Sequence, residues 1–121
     1  TLGTLYYRKD RSKKPLTELS LKIIKPNMGW CDDPSEKKNY NKLIDVRKKI
    51  KCEKIYRKDS KYDFLIPIKY NTKKIIPGKG SAIFIHITKN HKGTSGCIAL
   101  NKKDFLILVK LINKKTKIKI Y

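Results

Sequence analysis

The sequence predicts a single, mainly β domain that contains one well-formed helix. Short apolar runs are separated by clusters of Gly, Pro, Asn and Asp, which is the pattern of strands joined by turns. One segment near the end has the 3.6-residue periodicity of a helix. The 121 residues, 39% of them hydrophobic, suffice for one core. We therefore expect one domain over residues 1–121.

The clearest strand is the segment "AIFIHITK". Its alternation places Ala82, Phe84 and His86 on one face and the three isoleucines, at 83, 85 and 87, on the other. Because both faces are largely apolar, we expect this strand to be central in a sheet. Further strands are predicted within residues 1–10, 19–26, 62–71 and 115–121.

The best helix candidate follows Asn101, a residue that favours helix N-termini, with Asp104 three positions later. Its apolar stripe consists of Phe105, Leu108, Val109 and Ile112. Residues 42–56 favour either a basic helix or an irregular segment. Residues 27–41 are rich in turn formers and predict a loop that carries function, since their Trp, Cys, Asp and Tyr are unusual in a plain connector.

The charge is strongly positive, with 31 Lys and Arg against 10 Asp and Glu, giving +21. Such an excess favours anionic partners, namely nucleic acid, anionic lipid or a wall polymer. Alternatively, the abundance of Lys, Ile and Asn reflects AT-rich codons. No apolar run of about 18 residues predicts a membrane span, and no signal peptide is visible. Because the chain starts without Met, we interpret it as a processed or trimmed piece.

The segment "HKGTSGCIAL" places Cys97 in a glycine-rich turn shortly after His86. A nucleophilic thiol needs a nearby base, oxyanion donors and access. His86 can supply the base, and a turn at Gly96 lets backbone N–H groups point at a developing oxyanion. Alternatively, Cys97 is a small buried residue without chemistry.

Several motifs resemble the L,D-transpeptidase catalytic domain (the YkuD-like family), in particular a branch with a Gly-Ser-Ala-Ile-Phe-x-His strand and a Thr-x-Gly-Cys-x-Ala-Leu turn. The similarity covers nearly the whole chain and keeps the order of the motifs. The matching segments are "TLGTL", "GWCDDP", "NYN", "YDFLIPIKYN", "PGKGSAIF", "GSAIFIHI" and "TSGCIAL".

The resemblance implies a mainly β catalytic fold of sandwich or barrel type, with Cys97 as nucleophile, His86 as its base and Gly96 in the catalytic turn. It further implies attack on the peptide bond between meso-diaminopimelate and D-Ala of a peptidoglycan stem, a Cys97 thioester, and cross-linking by an amine of a second stem. Such enzymes act in the periplasm or cell envelope of bacteria and need no metal or organic cofactor.

Two positions depart from the common motif of the family. Ser95 stands where His usually precedes Gly-Cys, and Ala99 stands where Arg often follows. Substrate anchoring and acceptor choice are therefore open. The family domain usually has strands before the Thr-x-Gly-Thr segment, so we expect this chain to lack some N-terminal strands.

A second group of candidates flanks the predicted groove. Its substrate-binding members are Trp30, Asp32, Asp33, Tyr40, Thr94 and Ser95, with Asn41 and Tyr70 as further members. The aspartates would orient a substrate ammonium or the catalytic histidine. Alternatively, the loop is only packed by its tryptophan and held by Asx turns.

Other functions stay open from the residues alone. Cys31 and Cys52 form a disulfide in an oxidising compartment, or Cys31 lines the site as a free thiol. A zinc site lacks any paired Cys-x-x-Cys spacing. The competing functions are a hydrolase on the same scaffold, a non-catalytic wall-binding domain, and a basic nucleic-acid-binding module. Aromatic residues, at 9%, are too sparse for a recognisable nucleic-acid signature, so we expect no nucleic-acid partner.

Overall fold

The computed structural model describes residues 2–46, 50–88 and 97–118. These residues form eight short strands and one helix, which confirms the mainly β class. The elements are β1 (Leu5–Tyr7), β2 (Leu21–Ile23), β3 (Met28–Cys31), β4 (Leu43–Asp45), β5 (Cys52–Lys54), β6 (Phe64–Pro67), β7 (Phe84–Ile87), β8 (Ile98–Leu100) and α1 (Lys102–Leu111).

The larger sheet has five strands in the order β2-β1-β6-β7-β8. The pairs β1–β2 and β7–β8 are parallel, whereas β1–β6 and β6–β7 are antiparallel. The strand that carries His86, β7, lies between β6 and β8, so its predicted central position is confirmed. In the register, His86 lies opposite Leu65 on one side and Ala99 on the other.

The smaller sheet has three antiparallel strands in the order β4-β3-β5. It corrects two expectations. Residues 28–31 form a strand and not a loop, and residues 42–56 contain β4 and β5 in place of the predicted helix or irregular segment. These strands are only three or four residues long. They owe their conformation to pairing with distant segments, which a local periodicity does not reveal.

The two faces of β7 contact two separate hydrophobic clusters, as its alternation predicts. Ile85 and Ile87 join the core cluster beneath α1, which includes Phe105 and Val109 of the helix. Phe84 belongs to the cluster on the opposite face, against which Trp30 and Cys97 pack. Burying both faces of β7 fixes the direction in which its one histidine points.

The helix α1 begins where the sequence predicts. The side chain of Asn101 accepts a hydrogen bond from the backbone N–H of Asp104 at 2.8 Å, and Phe105 and Val109 are buried. Residues 115–118 of the predicted terminal strand are not in a strand, and the rest of it lies outside the described residues. Within the described ranges, no helix has the length and apolarity needed to cross a bilayer.

Candidate functional site

His86 lies on β7, an interior strand of the larger sheet, and is only 2% exposed. Its Nδ1 lies 2.9 Å from the carbonyl oxygen of Ile87. Because a carbonyl oxygen only accepts hydrogen bonds, Nδ1 carries the proton in this contact. In the neutral ring, Nε2 is then the basic nitrogen, and it is buried without a hydrogen-bond partner among the described residues. The structure thus holds the tautomer that a general base requires.

Burial lowers the pKa of His86 below its ordinary value of 6.5, since the charged imidazolium would lose solvation. The hydrogen bond to Ile87 acts in the opposite direction, while the positive charges of Lys61 and Arg57 lower the pKa further. The imidazole is therefore neutral at pH 7. It can accept a proton there.

Cys97 directly precedes β8, the strand paired with β7. Since His86 pairs with Ala99, and Cys97 and Ala99 share one face of their strand, Cys97 and His86 lie on the same side of the sheet. The thiol donates a hydrogen bond to the carbonyl oxygen of Ala82 at 3.3 Å. Ala82 itself has a φ of 56°, an unfavourable conformation for a residue with a side chain.

Tyr62, which the sequence analysis did not single out, contacts His86 and belongs to the cluster against which Cys97 packs. Its ring meets that of His86 nearly edge-on, with centroids 5.6 Å apart. Its hydroxyl donates to Glu53 at 3.0 Å, and the residue is 3% exposed. Burial raises the pKa of Tyr62, and the negative charges of Glu53 and of a Cys97 thiolate raise it further. Tyr62 therefore stays a neutral phenol beside the site. Its position at the start of the motif "YDFLIPIKYN" was the available signal.

Two cations lie over the Tyr62 ring. The guanidinium carbon of Arg57 is 5.6 Å and the ammonium nitrogen of Lys61 is 5.1 Å from the ring centroid. Arg57 forms an ion pair with Asp59 at 2.7 Å. No ion pair of the half-buried Lys61 is found among the described residues, and its charge reaches His86. The charges that reach His86 are thus the positive ones of Lys61 and Arg57 and the negative one of Glu53.

Trp30 packs edge-on against Phe84, with centroids 5.3 Å apart, and lies in the same cluster as Cys97. Its Nε1 donates to Asn41 Oδ1 at 2.9 Å. The Asn41 amide donates in turn to the carbonyl oxygens of Tyr70 and Asn71, at 2.9 and 2.8 Å. Asn41 therefore joins the Trp30 strand to the segment that leads toward β7.

The other candidates in the flanking loop have different surroundings. Asp33 accepts from the backbone N–H and hydroxyl of Ser35, the Asx turn that was the alternative interpretation. One carboxylate oxygen of Asp32 is buried without a hydrogen-bond partner among the described residues. Tyr40 is buried, and its hydroxyl accepts from the Gly80 N–H at 3.3 Å. The remaining candidates, Thr94, Ser95 and Gly96, lie outside the described residues.

A cavity of about 700 Å³ opens beside Trp30. Neither His86 nor Cys97 lines this cavity, whose wall includes Trp30. Lysines and aromatic rings give the cavity a basic, partly apolar surface. Its lining includes Tyr6, Trp30, Lys69, Asn71, Lys73 and Lys74. Among the described residues, no group of three or more His, Cys, Asp or Glu is arranged to hold a metal ion.

The family model of the L,D-transpeptidase catalytic domain (YkuD) matches residues 4–120. No curated protein and no solved structure shows a significant match to the chain.

Proposed function

Given that the chain belongs to the L,D-transpeptidase catalytic domain family, we propose that it transfers acyl groups between peptidoglycan stem peptides through a thioester on Cys97. The proposal rests on one observation above others. His86 is buried as a neutral base with Nε2 unbonded among the described residues, on the sheet face that it shares with Cys97.

In the first half-reaction, the Cys97 thiol turns from the Ala82 carbonyl toward His86 and gives its proton to Nε2. The thiolate attacks the carbonyl carbon of diaminopimelate. The tetrahedral intermediate then collapses, the C–N bond breaks, and D-Ala leaves as an amine that takes the proton back from His86. Sulfur and the acyl group remain joined as a thioester.

In the second half-reaction, an amine of another stem attacks the thioester. His86 accepts a proton from this amine, the C–S bond breaks, and the proton passes from His86 to the leaving sulfur, which restores both the Cys97 thiol and the neutral imidazole. If water attacks in place of the amine, the same residues catalyse hydrolysis. We assign transfer because the family is one of transpeptidases.

The substrate suits the electrostatics of the site. Stem peptides carry several carboxylates. The positively charged Lys61 ammonium lies over the ring of Tyr62, which contacts His86. Ala99, which stands where the common motif often has Arg, lies opposite His86 and places no positively charged side chain at that position. We assign the cell envelope as the place of action, since the family is usually extracytoplasmic.

The test is incubation with purified tetrapeptide muropeptides, followed by mass spectrometry of the products. We expect dimers that have lost one D-Ala, and none with the Cys97→Ala variant. Cys52→Ala is the matched control, because it also removes a half-buried thiol but one in the smaller sheet. Shortened monomers alone would establish the hydrolase, and products that persist in Cys97→Ala would refute the assignment of the nucleophile.

A further inference from the structure

Cys31 and Cys52 lie directly opposite each other on the antiparallel strands β3 and β5. The two kinds of opposed pair alternate along such strands. The Ile55 N–H donates to the Met28 carbonyl, which makes that pair hydrogen-bonded. Counting along the register, the Cys31 and Cys52 pair is of the non-hydrogen-bonded kind, in which the opposed Cα atoms are only about 4.5 Å apart. This separation is within the range that a disulfide spans.

The thiol of Cys52 lies against β3. A Cβ atom placed on Gly29 would be 2.8 Å from the Cys52 sulfur. Since Gly29 and Cys31 are two residues apart on one strand, they share a face. The sulfur of Cys52 therefore lies on the same face as the side chain of Cys31. Rotation of the Cys52 side chain about its Cα–Cβ bond is the movement needed to bring the two sulfurs together.

The two thiols differ in accessibility, and the difference sets the order of the chemistry. Cys52 is half-buried, whereas Cys31 is 0% exposed. A small disulfide reagent therefore reaches Cys52 first. Burial raises the pKa of both thiols, so exchange is slow at neutral pH.

We propose that Cys31 and Cys52 form an intrachain disulfide when the protein meets an oxidising thiol–disulfide environment, and that Cys97 takes no part in this bond. The reaction consumes one molecule of a low-molecular-weight disulfide. The Cys52 thiolate attacks it and releases one thiol, and the Cys31 thiolate then attacks the mixed disulfide and releases the second. Two protein thiols are oxidised and one external disulfide is reduced to two thiols.

The bond would close the segment 32–51, which carries Asp32, Tyr40 and Asn41, into a covalent loop. It would join the strand that carries Trp30 to β5. It would also prevent the other two thiols from reacting with Cys97, which packs against the cluster that contains Phe84. A disulfide between Cys31 and Cys52 thus keeps the sulfur of the proposed nucleophile available for acyl transfer.

The test uses the folded chain incubated with oxidised glutathione, then denatured and alkylated with iodoacetamide, with masses read on the intact protein and on peptides. We expect loss of two hydrogens, a peptide cross-link between Cys31 and Cys52, and one alkyl group, on Cys97. Cys97→Ala should form the same bond and take up no alkyl group. In the matched variant Cys52→Ser the two-hydrogen loss should disappear.

Three alkylated thiols after oxidation would overturn the proposal, as would glutathione left on Cys52 or a bond that includes Cys97. The readout does not depend on turnover. If the Cys31–Cys52 disulfide forms but the muropeptide assay fails, only the proposed function is refuted. If the muropeptide assay succeeds but the disulfide does not form, only the present proposal is refuted.

Discussion

Asn41 holds the Trp30 strand to the segment before β7, and its replacement by Ala should destabilise the protein strongly. The residue is 5% exposed, makes three side-chain hydrogen bonds, and has a φ of 57°. Each lost bond costs about 1 kcal/mol. A left-handed conformation costs alanine about another 1 kcal/mol, which Asn tolerates better. The sum is a loss of about 4 kcal/mol in the free energy of unfolding.

The assay is urea unfolding, followed by circular dichroism and by the fluorescence of Trp30, the one tryptophan of the chain. Asn41→Gly should recover about 0.5–1 kcal/mol relative to Asn41→Ala, because glycine tolerates positive φ but gains freedom when unfolded. Asn39→Ala, in the same loop, should change stability by less than about 0.5 kcal/mol. A loss below about 1 kcal/mol for Asn41→Ala would refute the role of this network.

Three further predictions follow from the site and its supports. NMR titration should place the pKa of His86 below 6.5. The contribution of neutral His86 to the free energy of unfolding is therefore complete above about pH 6.5 and decreases as the pH falls toward the pKa in the folded state. Lys61→Met should raise the pKa of His86, and Lys58→Met should leave it unchanged. Equal effects of the two variants would refute the claim that the charge of Lys61 lowers this pKa. Gly29→Ala should cost about 1–3 kcal/mol, because its Cβ would lie 2.8 Å from Cys52 Sγ and 2.9 Å from Val46 Cγ1; unchanged urea unfolding would contradict that packing. If Cys31 and Cys52 pair, the oxidised protein should be about 3 kcal/mol more stable than the reduced one, by loop closure, and equal stabilities would show that the bond adds strain.

Local patterns predicted the parts of the fold whose structure is determined locally. The cap at Asn101 and the stripe through Phe105 and Val109 define α1 within a few residues. The alternation in β7 predicted both its central place and the face on which His86 lies. The family motifs predicted Cys97 and His86 as a catalytic pair, and this stays a prediction.

The remaining features depend on contacts between distant segments. The smaller sheet brings residues 28–31 between 43–45 and 52–54, and each strand is too short to show a period of its own. Tyr62 borders His86 because β6 pairs with β7, and Asn41 reaches residues 70 and 71 across a long separation. The periodicity of the individual segments indicates neither contact.

The most direct test of the central claim is to trap the acyl-enzyme. The protein should be mixed with a tetrapeptide stem, quenched in acid and measured by intact mass spectrometry. We predict an adduct equal to the stem minus D-Ala, located on Cys97, which forms much more slowly in His86→Gln. An adduct on another residue, or dimer formation with no covalent intermediate on Cys97 at any time point, would contradict the account.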